Sequence, residues 1–240
     1  MSKALIKSAF TVGLLVMLMA VPVYGASVNK SIKIDAGSES DGATSVNGSI
    51  SVGDGAVVSG TLKTVNGKIR VDGNCKIGNA TTVNGSVALG ENVEAADLTT
   101  VNGSIRVAGG STIDGEVGAV NGRIKLEKGT TVAQGVGNVN GDIELVGSEV
   151  GADVTTVNGN VDLSDAALIK GDLIIEKPST WNSSDNKRIP EIVIGPGSVV
   201  QGNVVLEREV KLYISESAKV GGVEGVMSIS DAVRFSGDHP

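Results

Sequence analysis

A catalytic site needs convergent reactive side chains, and this 240-residue chain offers few of them. Its one histidine, His239, stands beside the C-terminus, so no histidine base is at hand within the body of the chain. Its one cysteine, Cys75, lies in Asn74-Cys75-Lys76-Ile77; a lone cysteine has no intramolecular partner and reads as a small buried or turn residue. There is no Gly-x-Ser-x-Gly elbow, no His/Cys cluster and no phosphate loop. The piece Gly195-Pro196-Gly197 falls between strand-like segments rather than before a helix, which excludes a nucleotide-binding turn. The carboxylates are scattered. The expectation is a protein that is not an enzyme and has no cofactor and no metal site.

Binding chemistry leaves a shorter list. Asp41, Asp54, Asp72 and Asp153 occupy glycine-bearing turns, but they lack the GGxGxD repeat that stacks calcium ligands on successive coils, and turn geometry accounts for them. Aromatic platforms for a polysaccharide are limited by one Trp, two Tyr and two Phe, of which Trp181 and Tyr213 are the candidate partner contacts. The most regular polar set is a row of asparagines: Asn47, Asn66, Asn84, Asn102, Asn121, Asn140 and Asn158. If those residues stack, their amides can hydrogen-bond along the stack, as in the side-chain ladders of cross-β assemblies. That makes them a structural device.

The segments that must position these residues repeat. Val-Asn-Gly begins at Val46, Val65, Val83, Val101, Val120, Val139 and Val157, at intervals of 18 or 19 residues. Each copy continues with an alternating apolar pair, such as Ile105 and Val107 or Ile124 and Leu126, the mark of a strand with one buried face. A second apolar position follows (Ile113, Val132, Val150, Leu168), then a third (Val117, Val136, Val154, Leu173). Three short strands per unit cannot bury their own apolar face, whereas stacked units can. Asn-Gly tolerates positive φ and suits a tight corner; a two-residue hairpin uses the same dipeptide but does not explain three apolar clusters per period. The fold class expected is all-β: a single-stranded parallel β-helix (β-solenoid) of about ten coils, ~48 Å long.

The organisation read from the sequence has five parts. Residues 1–25 form a signal peptide, with Lys3 and Lys7 preceding a 13-residue apolar run from Ala9 to Val21 that is short for a membrane span. Residues 26–176 are the Val-Asn-Gly solenoid, 177–190 a polar loop excursion carrying Trp181, 191–224 resumed coils, and 225–240 a tail that has lost the period. Export removes two lysines and no acid, taking the formal charge from −7 to −9. Such a chain is poorly suited to nucleic acid, and the mature form has no membrane span. The residues flanking the first apolar pair run from basic (Lys68, Arg70, Arg106, Arg123, Lys125) to acidic (Asp142, Glu144, Asp162), with Arg123 beside Asp142 and Lys125 beside Glu144 in parallel register.

With Val-Asn-Gly-x-Ile units near 18 residues and the run Ile194 to Val204 (IGPGSVVQGNV), the chain resembles the bactofilins over about residues 28–224. The resemblance implies a right-handed, roughly triangular β-helix that forms polymers. Bactofilins are typically cytoplasmic, whereas this chain opens on an export-like segment. The function expected is a non-catalytic scaffold of the cell envelope, periplasmic or extracellular, whose partner is itself, end to end, or an envelope component. The alternative is an adhesin-like or polysaccharide- or protein-binding module. Lys30, standing where later copies have glycine, and Glu39, standing for an apolar residue, mark the first coil as a cap. Val210, Leu212 and Ile214, with only the tail beyond them, mark the C-terminal end as the stickier one.

Overall fold

The computed structural model describes residues 28–178 and 188–240. The signal-peptide segment therefore lies outside the described residues, as does Trp181. Every strand pairing is parallel, which removes the hairpin alternative, and no α-helix is present among the described residues. Parallel neighbours 18 or 19 residues apart can only be successive turns of one coil. The protein is a β-solenoid of about ten turns.

Each turn carries three short strands, illustrated by Ile105–Val107, Thr112–Ile113 and Val117–Asn121. The first face is an eleven-stranded parallel sheet running from Ile32–Ile34 to Val233–Phe235. On it, Ile50, Ile69, Val87, Ile105, Ile124 and Ile143 stand in register, and all six are fully buried. The interior is therefore a set of aliphatic columns running along the solenoid axis. β-branched side chains suit such columns because their restricted χ1 stacks well on a pleated surface.

The second-strand column corrects one expectation. Val150 pairs with Ile169, which is fully buried, while Leu168 pairs with Glu149 on the outer side. The turn before it holds Asp165 and Ala166 at φ 52° and 61° and takes up one residue more than the short turn before Val150, so the inward position falls one later in the chain. Glu39 is corrected likewise: it pairs with exposed Val57, and Ser40 occupies the column that Val58 fills below.

The excursion does not end the coil. Glu191–Ile194 pairs with Val161–Leu163, and beyond it the second and third strands fuse into Val199–Leu206 and Lys219–Gly225, with a register shift between Val200 and Asn203. The tail, read from the sequence as aperiodic, adds a further strand, Val233–Phe235, on Tyr213 to Ser215. Val210 and Leu212 are buried in the core column, and the Val210 N–H donates to Met227 Sδ at 3.4 Å. The C-terminal end is thus covered by its own chain, through the tail that the sequence offers as its only cover.

Candidate functional site

The Val-Asn-Gly corner carries a continuous row of side-chain hydrogen bonds. Asn47 Nδ2 donates to Asn29 Oδ1 at 2.7 Å, and the pattern repeats through Asn66, Asn84, Asn102, Asn121, Asn140 and Asn158, each donating to the asparagine one coil before at 2.7–2.9 Å. All amides point the same way, N–H toward the N-terminal end, so their dipoles add along the ridge. At the other end Arg208 Nη1 donates to Asn158 Oδ1 at 2.9 Å and to the Val157 carbonyl at 3.1 Å, while Nη2 donates to the Arg188 carbonyl at 2.8 Å. Arg208 reaches across the coil where the excursion leaves the corner. One guanidinium therefore both terminates the ladder at its oxygen end, where a cation is favoured, and holds the returning strand in place.

The glycine of each corner is needed for space rather than for positive φ. None of the seven ladder asparagines has positive φ, and of the corner glycines only Gly141 does, at 150°. A Cβ on Gly85 would overlap the Gly67 carbonyl oxygen, and Gly103, Gly122 and Gly159 meet the carbonyl of the previous corner in the same way. The left-handed turns lie at another corner, at Gly37, Gly55, Asn74, Asn92, Gly110, Gly129 and Gly197.

Sequence reasoning missed the partner of those carbonyls. Thr64 Oγ1 donates to the Gly48 carbonyl at 2.8 Å, Thr82 to Gly67 at 2.9 Å and Thr100 to Gly85 at 2.8 Å, and all three threonines are buried. The signal was available: a Ser or Thr directly precedes Val-Asn-Gly at 45, 64, 82, 100 and 156. Asn138 takes the same place, donating to the Gly122 and Gly141 carbonyls at 2.6 and 2.8 Å, with its Oδ1 buried and unpaired.

The other singled-out residues fall apart in space. Cys75 sits in a buried column of small residues and donates to the Gly53 and Gly73 carbonyls at 3.2 Å; burial raises its thiol pKa, reinforced by Asp54 and Asp72. Among the four turn aspartates, Asp54 Oδ1 accepts from Asn74 Nδ2 at 3.0 Å and Asp153 Oδ1 from the Asp172 N–H at 2.8 Å. Among the described residues no group of three or more His, Cys, Asp or Glu could hold a metal ion, and no helix is long and apolar enough to cross a membrane.

The outward side of the first face does collect charge. Arg70, Ala88, Arg106, Lys125, Glu144, Asp162, Val193 and Tyr213 stand in one row, one residue per coil. Arg106 pairs with Glu127, Lys125 with Glu144 at 3.2 Å, and Arg123 with Glu144 at 3.2 Å and Asp142 at 3.7 Å. The Asp162 carboxyl is held above the usual aspartate range, chiefly by burial and further by Glu144 and Glu191, against the pull of His239 and Lys125. Burial also raises Glu116, with Asp97 adding to it. Comparison of the chain with protein-family models, curated proteins and solved structures finds no match.

Proposed function

We propose that this protein is an exported, non-catalytic structural solenoid of the cell envelope, a bactofilin-like scaffold placed outside the cytoplasm. The observation that carries this reading is the unbroken amide ladder from Asn29 to Asn158, closed by Arg208. Its residues are spent on keeping successive coils in register, which is what a stiff spacer needs. The aliphatic columns beneath the ladder run through the same coils without interruption, so bending the rod would open both. The Lys3, Lys7 and Ala9 to Val21 segment supports export.

The test pairs location with phenotype. Cells lacking the protein should become more permeable to detergent, and the intact chain, recovered from the envelope fraction without its first ~25 residues, should restore them. An Ile124→Asp chain should not. Recovery of a soluble cytoplasmic protein with Met1 intact, or full rescue by Ile124→Asp, would overturn the reading.

A further inference from the structure

The charged row on the first face changes sign once along its length, and the change falls between Lys125 and Glu144. N-terminal to it stand Arg70, Arg106 and Lys125; C-terminal to it stand Glu144 and Asp162, then Val193 and Tyr213. Two such faces cannot meet with their solenoids parallel, because like charge would oppose like. Turned antiparallel, about a two-fold axis lying along the strands between Lys125 and Glu144, they oppose opposite charges at each central position. Isologous pairing of this kind needs only one self-complementary patch.

We propose that the first face binds a second copy of this chain, antiparallel, with Lys125 facing Glu144 of the second copy and Arg106 facing its Asp162. The same register sets Ala88 against Val193 of the second copy and Arg70 over the ring of its Tyr213. At the axis, the Lys125–Glu144 pair of each copy completes a square of alternating charge with that of the other. Arg70 forms no ion pair among the described residues and is exposed, so its guanidinium is available for the aromatic face. Asp162 answers the same need from the other side: it lies between two further acids, Glu144 and Glu191, and a cation from outside offsets them. His239 is within electrostatic reach of Asp162, so the end of the tail comes against this half of the face, and docking requires it to give way to Arg106 of the second copy. The one like-charged opposition, Lys68 with Lys211, falls at the rim, where solvent screens it.

This deepens the scaffold reading by naming a lateral partner, and it is tested on purified protein, apart from location or phenotype. An interface held by charge should be dimeric in sedimentation at about 0.02 M salt and monomeric at about 0.5 M. Arg106→Glu with Lys125→Glu should be monomeric at low salt, and so should Glu144→Lys with Asp162→Lys. Mixed one to one, these two variants should form a heterodimer, since the four central positions are then wholly acidic in one and wholly basic in the other. Ala88→Cys with Val193→Cys, treated with a disulfide-forming oxidant at low salt, should give a disulfide-linked dimer. A wild-type monomer at low salt, a dimer indifferent to both charge reversals, or failure of that cross-link while both variants melt like the parent would overturn the proposal.

Discussion

At the scale of single residues, the corner glycine and the buried threonine form one unit. The glycine lets its carbonyl sit against the next coil, and the threonine of that coil supplies the hydrogen that a buried carbonyl requires. Gly85→Ala therefore drives a methyl into the Gly67 carbonyl, backbone against backbone, and should destabilise the protein by ~3 kcal/mol or more, read as a lowered melting temperature. Gly37→Ala meets open space and should lose only the ~1–2 kcal/mol of a left-handed alanine. Equal losses at the two positions would refute the steric account. Asp162 gives a second residue-scale test. Its folded-state pKa is raised, so the folded protein holds that proton more tightly than the unfolded chain does. The resulting stability is complete below the ordinary value of about 3.9 and is lost as pH rises through the raised one. Asp162→Asn should melt higher than the parent at pH 7 and lack that group's gain on acidification. A lower melt at pH 7 would show that the attraction of His239 and Lys125 outweighs its burial.

At the scale of the strand, inward and outward positions should differ sharply. Ile124 has no exposed surface and stacks between Ile105 and Ile143. Ile124→Asp puts an unpaired charge in that column and should cost ~4 kcal/mol or more, or prevent folding. Lys76, in an exposed ion pair with Glu94 at 2.8 Å, is the control, and Lys76→Ser should leave stability nearly unchanged. Both can be measured by urea denaturation. Period-2 alternation made these assignments legible in advance at Ile124, and a one-residue difference in turn length defeated them at Leu168. The alternation says which residues share a face, and the turn before it says which face that is.

At the scale of the whole molecule, the parallel ladder of the described residues stops at its two ends. The C-terminal one is covered by Met227 and by the strand Val233–Phe235, and the cover carries exposed Val226, Ile229 and Val233. A chain ending at Gly225 should uncover the edge of Lys211–Ser215 and the side chains of Val210 and Leu212. It should then associate through this end at salt concentrations that dissolve the charged lateral contact. Sedimentation at high salt checks this. A truncated chain that stays monomeric and melts like the parent would mean that the tail covers nothing of consequence.

The repeat, the parallel coil and the asparagine row could be derived from the chain alone. An 18–19-residue period with three apolar clusters has few solutions that bury every cluster, and identical residues one period apart must then stack. Tertiary structure decided what local pattern could not. It placed Gly85 against the Gly67 carbonyl, made Thr100 a donor to the coil before, carried Arg208 across the excursion to Asn158, and folded an aperiodic tail back as a strand. Each of these joins residues from different coils, through a backbone carbonyl, a side chain or a strand pairing. A contact between coils depends on how closely they approach and how many residues each turn absorbs, and neither quantity is written in the residues of a single repeat.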